Sequence, residues 1–270
     1  MRTLGDYHTH STLDDGKNTL AEMAQAAFDL GLPCLGFSGH SYGPQDTDFC
    51  IPQDKIPLYL AQARALEAEY RGRMDILVGL ELDYFGQKPQ GLDYVIGSVH
   101  SVERNGVFYP VDDSPQASRK AVDEAFGGDW YRLTDAYFDL VADLPRKTGC
   151  SWIGHFDLVT KFNEKEPAFD ESSPRYLNRA KEVMAALVEQ GIPFEVNTGA
   201  ISRSWRSLPY PGPTLLTHLH QLGGQVILTS DAHTSQTLCF AFDQAAEQLR
   251  RVGFTHTLVW SKDGPREVPL

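Results

Sequence analysis

Two short strings of this 270-residue sequence set metal-ligating side chains two positions apart: Asp6-Tyr-His8-Thr-His10 near the start and Ser230-Asp231-Ala-His233 near the end. Alternate residues of extended chain point the same way, so each pair can close on one ion. Between the strings stand Asp15-Gly16, Ser38-Gly39-His40, Glu81 with Asp83, His100, His155 and Glu195-Val-Asn197. Imidazole and carboxylate without thiolate form a donor set that accepts Zn, Fe, Mn or Co. Taken singly, an H-x-H string or a lone histidine is as readily a hydrogen-bonded core residue. What sets these apart is their position, because each falls where a predicted strand ends.

The strands are predicted from their punctuation. Four times an apolar helical pattern stops at a glycine and a β-rich run follows at once, in DLGLPCLGFS, EQGIPFEVN, QLGGQVILTS and RVGFTHTLVW. Glycine just past a helix supplies the left-handed cap, and the Val, Ile, Leu and Phe runs read as buried strands. TLAEMAQAAFDL opens with a Thr19-x-x-Glu22 capping box and repeats apolar residues at Leu20, Met23, Ala27 and Phe28. Further helices are expected near 54–71, 130–144, 174–190 and 235–251. Strands are expected near 4–8, 33–38, 75–82, 92–99, 151–155, 193–197 and 225–230, with a last run near 256–260.

Such alternation means an α/β fold with a parallel sheet, most simply a closed or distorted barrel that takes residues 1–270 as one domain. Folds of this kind build their active sites at the C-terminal ends of the strands. Six of the nine histidines, His8, His10, His40, His100, His155 and His233, then share one rim, which points to a polynuclear metal centre. His218 and His220 sit two apart on a helical segment and face different ways, and His256 begins a strand without a partner; all three read as structural or solvated. Two insertions, near 101–129 and 160–174, follow strands and are expected to cover the barrel mouth. The first contains Asn105-Gly106 between alternating residues, which predicts a hairpin.

Composition narrows the function. Lys plus Arg minus Asp plus Glu gives 24 − 36 = −12 with no basic block, which argues against nucleic acid or an anionic membrane as partner. No apolar run reaches the ~18 residues of a membrane span, and the first residues have no secretory pattern. The expected compartment is therefore the cytoplasm, and Cys34, Cys50, Cys150 and Cys239, far apart and without C-x-x-C spacing, read as free thiols that suggest neither a disulfide framework nor a thiolate zinc site.

Taken in order, the motifs resemble the PHP (polymerase and histidinol phosphatase) superfamily and, within it, the histidinol-phosphate phosphatases. They are D-x-H-x-H-S at 6–11, Asp-Gly at 15–16, G-F-S-x-H at 36–40, G-L-E at 79–81, G-S-V-H at 97–100, G-H-x-D-L at 154–158, E-V-N-T at 195–198 and S-D-A-H at 230–233. The resemblance implies a distorted (β/α)7 TIM-like barrel with three divalent ions, Zn, Mn or Fe. One ion would be held by His8, His10, Glu81 and Asp231, a second by Glu81, His100 and His155, and a third by Asp15, His40 and His233, with Glu81 bridging. Many members carry an acidic residue just before the strand-two histidine. This sequence has Gly39 there, so whatever orients His40 is missing or supplied from elsewhere.

The implied reaction is hydrolysis of L-histidinol phosphate, with Glu81, Asp231 and His233 as catalytic residues. Three ligand carboxylates against three divalent ions leave an excess of about +3, which suits a phosphate dianion. In-line attack by a metal-activated hydroxide needs no covalent phosphoenzyme. Lys161, Asn197, Arg203, Arg206 and Tyr210 are the expected substrate contacts, with Tyr42, Phe49 and Tyr84 as further aromatic candidates. Other readings are a phosphodiesterase or nuclease of the same superfamily, a phosphotyrosine phosphatase, or a non-catalytic metal module, which would be expected to have lost ligands. An amidohydrolase would bridge its metals with a lysine from strand four, where this chain has His100.

Overall fold

The computed structural model describes residues 4–270; the first three residues of the expected domain lie outside them. The elements are α1 (Leu20–Asp29), β1 (Cys34–Phe37), α2 (Ile56–Tyr70), β2 (Asp75–Val78), β3 (Glu81–Asp83), β4 (Ile96–Ser98), β5 (Ser101–Arg104) and β6 (Val107–Pro110). They continue with α3 (Pro115–Ala125), α4 (Trp130–Thr148), β7 (Trp152–Ile153), α5 (Pro174–Glu189), β8 (Phe194–Asn197), α6 (Gly199–Ser202) and α7 (Pro213–Gln221). The chain ends with β9 (Val226–Thr229), α8 (Phe242–Val252), β10 (His256–Ser261) and β11 (Gly264–Pro269). The fold is α/β, and α1 carries both halves of the capping box that its sequence predicts.

Strands pair in three sheets: β1 with β2, the hairpin β5–β6, and a seven-stranded sheet in the order β11-β10-β9-β8-β7-β4-β3. All neighbours are parallel except in the hairpin and between β10 and β11. Isolated parallel bridges join Asp6 to Leu35, Thr9 to Ala232 and His40 to Glu81. The segment around residues 4–10 therefore touches β1 on one side and the turn after β9 on the other. It makes too few consecutive bonds with either to count as the strand expected there.

The expected strand 75–82 is broken at Gly79 and Leu80, and Tyr94 is the reason. Its phenol oxygen lies 2.7 Å from the Tyr7 carbonyl and 2.9 Å from that of Phe37, and its ring stacks on Trp152 at 4.9 Å. A Cβ at Gly79 would meet that ring at 2.3 Å, and one at Gly36 would meet its hydroxyl at 2.4 Å. Gly36 and Gly79 thus leave room for one buried tyrosine between the segment of Tyr7, β1 and the break after β2.

Three further differences have local causes. The helix expected from 235 starts only at Phe242, because Cys239 (φ 54°) and Ala241 (φ 56°) are left-handed and cannot propagate an α-helix. A strand follows the expected last one: β11 runs antiparallel at the sheet edge, where its prolines need no ladder donor. The first insertion holds α3 besides its hairpin, whose turn residues Asn105 (φ 53°) and Gly106 (φ 80°) have the geometry of a tight reversal. All four cysteines are free; Cys34, Cys50 and Cys150 are buried and Cys239 is half-buried. Among the described residues, no helix is long and apolar enough to cross a membrane.

Candidate metal centre

Glu81, at the start of β3, is 1 % exposed and is ringed by imidazoles. Its Oε1 lies 2.8 Å from His155 Nε2 and 3.2 Å from His100 Nε2; its Oε2 lies 2.9 Å from His40 Nδ1, 3.0 Å from His8 Nε2 and 3.6 Å from His10 Nε2. Asp231 Oδ1 faces the other side of the pair, 3.3 Å from His10 Nε2 and 3.8 Å from His8 Nε2. Asp15 lies 3.1 Å from His233 Nε2 through Oδ2 and 3.9 Å from His40 Nε2 through Oδ1. All nine residues expected as ligands are thus brought to one place.

Donor atoms fall into three groups, each within 4.8 Å: His8, His10 and Glu81; His40, Glu81 and His100; and His10, Asp15, His40 and His233. Among the described residues these groups overlap the three sets implied by the resemblance, except that His10 and His40 each stand in two groups and His155 and Asp231 fall in none. His8 Nε2, His10 Nε2, Asp15 Oδ1 and Glu81 Oε2 are buried without a hydrogen-bond partner. They approach one another closely yet are not aligned as donor and acceptor, which is how ligands aimed at a common cation stand. The residues present fit divalent metal.

A second layer of carboxylates holds the rings. Glu195 Oε1 lies 2.6 Å from His8 Nδ1, Asp14 Oδ2 2.6 Å from His10 Nδ1, and Asp83 Oδ2 3.3 Å from His100 Nδ1. Each turns the Nε2 of its ring toward the centre and fixes the tautomer. Glu195 also accepts from the His155 amide and the Thr229 hydroxyl, which ties β8 to its neighbours on both sides. Asp83 and Glu195 were legible as acids at strand ends; Asp14 was not, because it sits in a turn beside a stronger candidate.

Burial opposes ionisation of Glu81, but His8, His40 and His100 outweigh it and hold its carboxyl well below the usual range. Burial likewise opposes the charge on Asp231, and Arg203 foremost brings its carboxyl well below normal. His8, His10 and His100 respond in kind. Burial works against a charged His10, yet Asp14 and its neighbours push the ring up to about 10. Asp231 itself has φ 51°, a left-handed backbone rare outside glycine, and such conformations concentrate at functional sites.

Above the cluster opens a pocket of about 240 Å³. Asp15, His40, Glu81, His100, His155, Asp231 and His233 floor it, and Asp46, Phe49, Asp112, Asp113, Leu158, Lys161 and Arg203 complete its wall. Both insertions thus contribute to the pocket. Arg203, on the turn after α6, donates to Asp231 Oδ2 at 2.8 Å, and its guanidinium lies 3.0 Å from His233 Nδ1, which also faces the Asp231 carbonyl at 3.0 Å. Lys161 Nζ donates to the carbonyl of Asp112 at 2.7 Å and lies 3.3 Å from its carboxylate.

Three expected substrate contacts are elsewhere. Asn197 is fully buried, donating to Glu195 Oε2 at 3.0 Å and accepting from the Gly199 amide at 2.8 Å. Arg206 is 6 % exposed and donates through Nη1 to the carbonyl and hydroxyl of Thr160, with its guanidinium 5.2 Å from the Tyr210 ring. Tyr210 is buried with that ring packed edge-on to His155 at 6.3 Å. Asn197 ends β8 and bonds the Glu195 carboxylate that holds His8, while Arg206 and Tyr210 pack on each other beside His155. Of the aromatic candidates Phe49 alone lines the pocket, while the Tyr84 hydroxyl donates to Asp143.

Known proteins resemble this chain over most of its length. The family model described as PHP domain matches residues 6–199. A probable histidinol-phosphatase of Deinococcus radiodurans is 33 % identical, over 94 % of this chain and 95 % of that protein. One of Schizosaccharomyces pombe is 28 % identical, over 91 % of this chain and 85 % of its own length. The solved histidinol phosphate phosphatase of Lactococcus lactis, complexed with zinc, L-histidinol and phosphate, shares the fold. Its TM-score is 0.74 at 21 % identity, over 98 % of this chain and 99 % of that one. The chain belongs to the PHP domain family, in its histidinol-phosphatase branch.

Proposed function

We propose that this protein is a metal-dependent phosphate monoester hydrolase that converts L-histidinol phosphate and water to L-histidinol and phosphate. One observation carries the reading: a single buried carboxylate, Glu81, within 3.6 Å of five imidazole nitrogens at the floor of an open pocket. The names of the Deinococcus and Schizosaccharomyces relatives, and the histidinol and phosphate bound by the Lactococcus enzyme, point to the substrate.

The fold we infer is a distorted seven-stranded barrel forming one domain. In support, three isolated bridges link the segment around residues 4–10, β1, β3 and the turn after β9, and one contiguous apolar cluster runs through the chain. The three donor groups support three ions, and zinc in the Lactococcus enzyme favours that metal among those the donors accept. His8, His10, Asp15, His40, Glu81, His100, His155, Asp231 and His233 would hold them. The free cysteines suit a reducing compartment, the cytoplasm.

Ions so held supply activation of a water for attack on phosphorus and neutralisation of the phosphoryl oxygens. The chain does the rest. Arg203 brings fixed donors to the pocket wall, charged at any working pH, where a dianion needs them. Lys161 adds a second cation, anchored by Asp112 so that it stays at the mouth. Asp46, Asp112 and Asp113 suit the amino and imidazole groups of the leaving alcohol. Protein stripped with chelator should release no phosphate from L-histidinol phosphate and should regain turnover with added Zn or Mn. Full activity after complete stripping would overturn the assignment.

A further inference from the structure

We propose that Asp14 is the positioning residue that sets His10 and the His40 turn for metal binding, and that Gly39 is glycine in order to make room for it. This rests on the metal-centre reading above. The Asp14 side chain is fully buried, and every bond it makes is to a segment that carries a ligand. Its Oδ2 accepts from His10 Nδ1 at 2.6 Å and from the His40 amide at 3.2 Å. Its Oδ1 accepts from the Ser11 amide at 2.8 Å and the Ser11 hydroxyl at 3.3 Å. One carboxylate thus joins two ligand-bearing segments that meet only in space. With Nδ1 engaged, the His10 Nε2 is left facing Asp231 and Glu81.

Gly39 is not left-handed, so conformation does not require glycine there. Space does: a Cβ at position 39 would lie 3.2 Å from Cγ and Oδ1 of Asp14 and 2.8 Å from Cδ1 of Ile51. A carboxylate launched from position 39 therefore arrives where that of Asp14 already is. Positions 14 and 39 are two alternative sources of the same buried charge. Both at once would set two carboxylates in contact without water, which is unfavourable. Neither would leave His10 Nδ1 buried and unpartnered.

The experiment is a swap. Metal content and affinity are measured for the wild type, Asp14→Asn, Asp14→Ser, Gly39→Asp and the double variant Asp14→Ser/Gly39→Asp. Mass spectrometry counts ions, chelator competition gives affinity, and the Co(II) absorption spectrum reports ligand geometry. Thermal melts of the stripped proteins establish that each variant folds. Loss of an outer partner of a ligating histidine typically weakens metal binding by about 10- to 100-fold, and that loss is expected for both Asp14 variants. Gly39→Asp alone should be at least as damaging. The double variant should recover the wild-type Co(II) spectrum and most of the affinity, which a merely structural role for Asp14 would not produce. Wild-type affinity in Asp14→Ser, or a double variant no better than Asp14→Ser, overturns the proposal. Wild-type protein that takes up no divalent ion overturns the metal-centre reading as well, so the two failures are distinguishable.

Discussion

Glu81 is surrounded by five imidazoles, and further carboxylates stand behind three of them. The carboxylates around the centre raise His8 and His100 well above the ordinary histidine range and His10 to about 10, although burial opposes the charged ring in each case. A divalent ion must displace those protons, so its binding releases them. The sign follows: His8, His10 and His100 are protonated below their raised values, so metal affinity falls as pH falls and rises from pH 6.5 toward 9. Calorimetry in buffers of different ionisation enthalpy should register proton release, and a pH-independent affinity would contradict this account. Glu81→Gln keeps the shape but removes the shared charge, and it should lose metal and turnover together, by a thousandfold or more in rate; full loading with full activity would defeat the scheme. Arg203→Ala should act differently, raising KM for a phosphate monoester by about 10- to 100-fold, the scale of a lost charge-assisted bond. An unchanged KM would remove Arg203 from the substrate's path.

At the scale of elements, the second insertion is more built than its polar sequence suggests. Asn163 Oδ1 accepts from the amides of Ala168 and Phe169, and its Nδ2 donates to the Phe169 carbonyl and to Glu171. Asn163→Ala should loosen the loop that follows Lys161. The expected result is a melting point lower by a few degrees and a higher KM with metal content unchanged; unaltered kinetics would show that the loop does not position Lys161. This loop also shows what could be read from sequence. Hydrophobic runs and cap glycines mark α1, α2, α4, α5, the body of α8 and most strands because those signals are local, whereas α3 and α6 carry no such mark. The break at Gly79 depends on Tyr94, fifteen positions on, and no local pattern reports it. Ligand-type residues were legible because strand ends are. Arg206 is drawn to Thr160 and Asn197 to Glu195, internal bonds that position along the sequence does not report. Asp14 was missed for the converse reason, since only its approach to His40 reveals it.

For the molecule as a whole, the centre concentrates negative charge that folding alone does not neutralise. Asp15, Glu81 and Asp231 face the donors' common space, and Asp14, Asp83 and Glu195 back the rings. Divalent ions should therefore stabilise the folded chain, by about 2.7 kcal/mol for one site at a hundredfold excess over Kd, and chelator should lower the melting temperature. An unchanged melt would contradict the placement of metal at the meeting point of so many strands. The central claim is tested most directly by turnover. Metal-loaded protein is given L-histidinol phosphate, a generic aryl phosphate and an aryl phosphodiester, and phosphate or alcohol release is followed for each. The account predicts kcat/KM of ~10⁴ M⁻¹s⁻¹ or more for L-histidinol phosphate, with the other two at least a hundredfold lower. A faster diester, or three equally poor substrates, would contradict it.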